Sequence, residues 1–169
     1  MLKYIQTLDT RTFHTLFAPS QHPDLTRCSL FLSSSADGWL YFSLLPLLVV
    51  SHPHDFRHHL WLILLAFGLE RVLYLVLKHG IRRRRPPQVF ANVQAVVVAA
   101  DRFSLPSGHT SAAFLFVGIL CLTISPLFAP LYLWAAGVGA SRVILGVHFP
   151  SDVLLGALLG NAVAVVVLG

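Results

Sequence analysis

Charge is what this sequence has least of. Only 11% of its 169 residues are Asp, Glu, Lys or Arg, against about 25% in an ordinary soluble domain. That deficit, set beside 56% hydrophobic residues, excludes a soluble globular or disordered chain and implies a single domain embedded in a bilayer. Cysteine is scarce as well. Cys28 and Cys121 both lie in apolar surroundings and are expected to be isolated thiols, which excludes a disulfide scaffold. There is no CxxC and no HExxH, so neither a metal nor any other cofactor is expected. Internal repeats and low-complexity tracts are missing too. Gln6, Asp9 and Arg11 interrupt any apolar stretch that would make the first residues a signal peptide. The net charge of +5 comes from clusters rather than from a basic surface, and the bilayer, not nucleic acid, is the expected partner.

What is present reads as an all-α membrane bundle of about five spans with an interfacial helix before them. Residues 1–20 place Ile5, Leu8, Phe13, Leu16 and Phe17 at helical spacing, an amphipathic helix too polar to span and stopped by Pro19 and Pro23. Spans are expected at 28–50, 60–77, 108–124, 131–146 and 150–169, each near the ~20 residues a crossing needs. The first begins with a polar stretch, Ser33 to Ser35 and Asp37, suited to close helix packing. The second contains Glu70, expected to pair with a basic group of the bundle. Arg71 and Lys78 lie seven apart, on one helix face. Residues 51–59, with four histidines, read as a solvated turn. Residues 78–107 form a long loop at the site, and its apolar run Val93–Ala100 is expected to lie on the membrane surface or to cover the site.

Counting crossings brings three polar segments to one side of the membrane. They hold Lys78, Arg82, Arg83, Arg84, Arg85, Arg102, His109, Arg142 and His148. Several cations at one rim call for a polyanion, because guanidinium forks match phosphate oxygens. Ser107 and Gly108 open a helix whose free amides suit an anion. Pro150 fits a first helical turn, which puts Asp152 one turn beyond His148, where it can fix the imidazole. Two histidines beside a phosphate supply a nucleophile and a general acid.

These residues fall into three motifs: Lys78-HGIRRR-Arg85-Pro86, Pro106-Ser107-Gly108-His109, and Ser141-Arg142-VILGV-His148-FPS-Asp152. In spacing and order they resemble the type 2 phosphatidic acid phosphatase superfamily of membrane lipid phosphatases, including bacterial members active on phosphatidylglycerol phosphate or undecaprenyl diphosphate. That family shares its phosphate pocket with vanadium haloperoxidases and glucose-6-phosphatase. The resemblance covers residues 78–152. It implies metal-independent dephosphorylation through a phosphohistidine, with His148 as nucleophile, Asp152 orienting it and His109 protonating the leaving group. Lys78, Arg85, Ser107, Gly108 and Arg142 would hold the phosphoryl oxygens. Arg82, Arg83 and Arg84 are left between contact with a second phosphate or headgroup and a merely interfacial position. Larger members have six spans, whereas here an amphipathic helix stands in for the first.

The expected substrate is a membrane lipid phosphate or diphosphate: a polyprenyl diphosphate, phosphatidylglycerol phosphate, phosphatidic acid or a lipid A phosphate. A vanadium-dependent haloperoxidase and a non-catalytic lipid-binding protein are the alternatives. The spans argue against the first, and the retained histidine pair against the second. The clustered Lys and Arg would put the site in the cytoplasm by the positive-inside rule. The resemblance puts it on the periplasmic or extracytoplasmic face of the inner (plasma) membrane, and phosphate binding already accounts for many of those charges.

Overall fold

A computed structural model describes residues 2–17, 22–99 and 101–169, with side chains from residue 6 onward. Pro19, Ala100 and the Ile5 side chain, each part of an expectation above, lie outside the described residues. The chain is all-α. Its helices are α1 (Leu2–Phe17), α2 (Pro23–Ser35), α3 (Leu44–Ser51), α4 (Phe56–Ile81), the single turn α5 (Pro86–Val89), α6 (Gly108–Ile119), α7 (Tyr132–Ile144) and α8 (Pro150–Leu168). Among the described residues, three stretches are long and apolar enough to cross a membrane: Phe56–Val89, Pro126–Ile144 and Pro150–Leu168. Two shorter apolar stretches, Trp39–Ser51 and Gly108–Ile124, accompany them.

The longest helix shows how the sequence builds the site. Along α4, Ile63, Ala66, Glu70, Tyr74 and Lys78 are buried, and their spacing of three or four residues makes them one stripe. Trp61, Leu64, Leu65, Val72 and Val76 are exposed on the other faces, as a lipid-facing surface requires. The inward stripe begins apolar and ends polar, so the helix delivers Glu70, Tyr74 and Lys78 to one end of the bundle.

Helices α6 and α8 pack through small residues. A Cβ on Gly156 would lie 2.6 Å from the Ser107 carbonyl oxygen, and one on Gly160 would lie 2.3 Å from that of Ser111. One on Gly118 would lie 2.6 Å from the Ala164 Cβ. Gly156, Gly160 and Ala164 recur every four residues, the small-residue seam by which helices approach closely in lipid. The approach matters at the site end, where the Ser107 amide donates to the Asp152 carbonyl at 3.0 Å. Two of the three motifs are thereby fixed to each other.

Three expectations change. Residues 28–50 are not one span. The chain leaves the helix after Ser35, turns at Gly38 with φ +106°, and resumes as a 3-10 turn (Trp39–Ser43) leading into α3. Gly38 follows Asp37, and only glycine adopts that backbone freely. Second, α1 does not offer its apolar face to lipid alone. Phe13 is fully buried among Val93, Val143 and Phe149, while Arg11, Thr12 and His14 face outward. Third, Glu70 has no ion pair among the described residues; it accepts a hydrogen bond from Ser111 Oγ at 2.6 Å. Within the apolar run, Val93 joins the α1 cluster and the Val96 amide donates to the Leu145 carbonyl at 3.0 Å. The run therefore covers the α7–α8 loop.

Candidate active site

The α7–α8 loop holds His148, which is 2% exposed. Gly146, at φ +77°, turns the chain into it; a side chain there would meet Phe17 at 2.8 Å. His148 Nδ1 faces Asp152 Oδ2 at 3.6 Å and Ser104 Oγ at 3.4 Å. At 3.6 Å the carboxylate acts on the ring through its charge, since a hydrogen bond is shorter. The other ring nitrogen, Nε2, lies 3.4 Å from Arg85 Nη1. With an acid beside Nδ1, the tautomer protonated there leaves the Nε2 lone pair directed at the cations. Burial disfavours the charged ring, and Arg85 and Arg142 repel it further. Asp152 opposes them only in part, and the imidazole is pushed down to about 4.

Asp152 is fully buried and its carboxylate is fully engaged. Oδ2 accepts from the Phe149 amide at 2.8 Å and from Ser104 Oγ at 2.5 Å, and Oδ1 accepts from Arg83 Nη1 at 2.7 Å. Pro150 starts α8 as expected, and Asp152 reaches back to the residue that caps it.

Lys78 and Arg85 are buried, and both are held by Asp101. Lys78 Nζ donates to Asp101 Oδ2 at 2.7 Å and Arg85 Nη2 to Asp101 Oδ1 at 2.6 Å. Tyr74 adds a bond to Oδ2 at 2.6 Å and also accepts from Lys78. Burial alone would push the Asp101 carboxyl up, but the bonds from Lys78, Tyr74 and Arg85 outweigh it and hold the group at about 2. Arg85 is further fixed by Val147, whose carbonyl accepts from Nη1 at 2.7 Å. Two cations thus share one carboxylate, and one of them, Arg85, also faces Nε2 of His148.

Arg142 is buried at the end of α7 and donates to Ser33 Oγ at 2.5 Å, while its Nε has no hydrogen-bond partner among the described residues. A buried guanidinium N–H without an acceptor is costly, and an incoming anion would satisfy it. Ser107 is buried, its Oγ accepts from Thr110 Oγ1 at 2.9 Å, and it makes no side-chain cap to α6. Gly108 is packed against the Tyr74 ring, which a Cβ would approach to 3.0 Å. His109 is the more open histidine, with its side chain 28% exposed, and Nε2 pairs with Asp37 Oδ1 at 2.9 Å. It lines a cavity of about 370 Å³ with Asp37, Glu70, Arg71 and Tyr74. That cavity shares Gly38, Tyr41 and Phe67 with an apolar groove of about 320 Å³ that continues along α3 and α4.

The structure links Lys78 to Arg85 through Asp101, both Arg85 and Asp152 to His148, and Ser107 to Asp152 through the backbone, while Gly108 and His109 line the cavity beside Tyr74 and Arg142 acts on both histidines through its charge. It separates the neighbouring arginines. Arg83 turns inward to Asp152 and Asp9, whereas Arg82, Arg84 and Arg102 line another cavity with Gln88 and Phe103. Arg71 and Lys78 flank the Tyr74 ring at 4.9 and 4.4 Å, but only Lys78 is buried. Asp9, Asp37, Tyr74, Asp101 and Ser104 are the contributors that motif spacing does not reveal. Asp9 left one signal: a carboxylate four residues before Phe13, on the apolar face of α1.

Comparison with known proteins points the same way. The PAP2 superfamily model matches residues 59–169. The chain is 32% identical over 137 residues to the decaprenylphosphoryl-5-phosphoribose phosphatase of Mycobacterium tuberculosis, covering 77% of this chain and 70% of that one. It is 38% identical over 132 residues to phosphatidylglycerophosphatase B of Bacillus subtilis, covering 69% and 62%. Among solved structures, LpxE of Aquifex aeolicus superposes with a TM-score of 0.80 at 29% identity, over 95% of this chain and 94% of the other. The phosphatidylglycerolphosphate phosphatase of Bacillus subtilis superposes at 0.76 and 27% identity, over 97% and 84%.

Proposed function

The chain belongs to the PAP2 superfamily, and from that membership we propose that it is a membrane lipid phosphatase working through a phosphohistidine, without a metal. One observation carries the reading: Arg85 shares the Asp101 carboxylate with Lys78 and also faces His148 Nε2. The acid oxygen pair stands in for two phosphoryl oxygens, and a phosphate drawn to the same two cations would be held by the guanidinium that faces the nitrogen lone pair.

The steps follow from that placement. The Nε2 lone pair of His148 forms the P–N bond while the bond from phosphorus to the lipid oxygen breaks. His109 gives that oxygen its proton, and the lipid alcohol departs. Asp152 stabilises the ring, which carries positive charge once Nε2 is phosphorylated. Water then attacks phosphorus, its proton passes to His109, the P–N bond breaks and inorganic phosphate leaves. Lys78, Arg85 and Arg142 offset the charge that builds on the equatorial oxygens, with Ser107 and the Gly108 amide beside them. For a diphosphate substrate the departing group is a lipid monophosphate instead.

The M. tuberculosis relative is named for a decaprenylphosphoryl sugar phosphate and the B. subtilis one for a phosphatidylglycerol phosphate. Both names describe a phosphomonoester on a long-chain lipid, and that is the substrate class proposed here. Polyprenyl diphosphates, phosphatidic acid and lipid A phosphates belong on the same panel. The chain from such a lipid would leave the His109 cavity along the groove of α3 and α4. The site is assigned to the extracytoplasmic face of the plasma membrane. The test is release of inorganic phosphate from the panel in detergent micelles with EDTA present. The proposal expects turnover of at least one lipid phosphate and none by His148→Ala. Release abolished by EDTA, or unchanged in His148→Ala, would overturn it.

A further inference from the structure

We propose that Asp9 and Arg83 are positioning residues of the reaction, so that the amphipathic helix α1 belongs to the catalytic machinery; this rests on the phosphohistidine reading above. Arg83 lies within a run of four arginines, yet it alone of the four reaches the Asp152 carboxylate. Its Nη1 donates to Asp152 Oδ1 at 2.7 Å and to Ser151 Oγ at 2.5 Å, and its Nη2 pairs with Asp9 Oδ2. The guanidinium also stacks over the Phe149 ring at 4.2 Å. It is thus held by Phe149, Ser151 and Asp152, which follow His148 in sequence, and by Asp9 of α1.

Asp9 completes the arrangement from another helix. Its side chain is 4% exposed. Oδ1 accepts from the Ser151 amide at 2.9 Å and Oδ2 from Ser151 Oγ at 2.8 Å. The Ser151 amide is one of the first-turn donors of α8, which have no partner within the helix. The residue at the cap position, Phe149, has no side-chain acceptor to offer. A carboxylate from α1 does that work instead, at the positive end of the α8 dipole. Burying Phe13 one turn further along α1 keeps it there.

Two consequences follow for His148. A carboxylate can rotate about its own axis, and Arg83 on Oδ1 fixes the plane that turns Oδ2 to the imidazole. Asp9 also offsets the charge of Arg83. Without that second acid, Arg83 would neutralise Asp152 at the moment the phosphorylated ring needs its negative charge. The pair therefore acts on the bond-forming step through Asp152 and touches no substrate atom.

The experiment uses the full chain in detergent. Asp9→Asn, Arg83→Gln, Arg83→Lys and the Asp9→Asn/Arg83→Gln double variant are compared in kcat, KM and equilibrium binding of inorganic phosphate. Members of one hydrogen-bond network are coupled in energy, so kcat of Arg83→Gln is expected to fall by roughly tenfold with KM unchanged. Arg83→Lys, with one donor centre for two acids, should recover part of the loss. The double variant should be no slower than Arg83→Gln alone, because both act through one carboxylate. Phosphate affinity should stay within about twofold of wild type, since Lys78, Arg85 and Arg142 are intact. Arg11→Gln, on the exposed face of α1, serves as the control with wild-type rates. A rise in KM at unchanged kcat would make Arg83 a headgroup contact and overturn the proposal. So would multiplicative losses in the double variant, or phosphate binding that falls in step with kcat. Wild-type protein inert on every phosphate tested would instead overturn the phosphatase reading itself, a separate result.

Discussion

Lowering the pH is the perturbation that bears most directly on His148. Burial destabilises its imidazolium, with repulsion from Arg85 and Arg142 added, and pushes the ring from 6.5 to about 4. An attacking imidazole must be neutral, so activity is retained above that value and lost as pH falls through it. At pH 5 a ring titrating at about 4 is roughly 90% neutral, whereas one at the ordinary value is roughly 3% neutral, a difference of about thirtyfold in competent enzyme. The assay is kcat/KM from pH 3.5 to 8 in detergent micelles. The lipid phosphate itself gains a proton near pH ~6, so an aryl phosphate of lower phosphate pKa is run beside it. A limb that moves with the substrate belongs to the substrate, and one common to both belongs to the enzyme. The expected enzyme limb lies near 4. A common limb at 6.5 would refute the buried, neutral nucleophile.

Other parts of the structure make separate predictions. Asp101→Asn removes the carboxylate that competes for Lys78 and Arg85, so inorganic phosphate should inhibit more strongly, by roughly fivefold, given the ~1 kcal/mol at stake in one charge-assisted contact; weaker inhibition would mean that Asp101 organises the cations rather than occupying them. Gly160→Val drives a Cβ against the Ser111 carbonyl and Leu115 amide, at 2.3 and 2.8 Å, and should cost about 2 kcal/mol or more of stability by overpacking. Gly80→Ala, with nothing within 4 Å, should leave thermal unfolding in detergent unchanged or slightly raised. His109→Ala should slow release of a lipid alkoxide by about a hundredfold or more and release of a nitrophenol far less, because a good leaving group needs no proton; equal losses on both substrates would remove His109 from the acid role. A cysteine at position 57, in a chain lacking Cys28 and Cys121, should resist an impermeant maleimide in intact cells and react in inverted vesicles, since residues 51–59 lie opposite the site.

The motif residues were legible in the sequence because each is an ionisable or small polar group in a chain that has few of them. Lys78, His109, Arg142, His148 and Asp152 interrupt apolar stretches, and counting crossings was enough to gather them. Their partners were not legible, because pairing is a tertiary property. Asp101 reads as an ordinary loop acid until the long loop folds back onto α4 and α5. Arg83 cannot be told from Arg82 and Arg84 by position, and only the buried acids of α1 and α8 select it. Asp37 stood out as a polar residue in an apolar segment, but its bond to His109 depends on the chain breaking at Gly38, and a continuous helix over 28–50 hides that break. Glu70 called for a cation on electrostatic grounds, whereas Ser111, across the α4–α6 contact, supplies a hydroxyl.

The central claim is covalent, and it is tested most directly by trapping the intermediate. Full-length His109→Ala protein is mixed with an aryl phosphate and quenched in alkali, where phosphohistidine survives, and the peptide bearing His148 is examined by mass spectrometry. The good leaving group lets the first step proceed, while loss of His109 slows the attack of water. The account predicts one added phosphoryl group on His148, and none in the His109→Ala/His148→Ala double variant. A phosphoryl group on another residue, or nitrophenol released in full stoichiometric excess with no modified peptide, would contradict it.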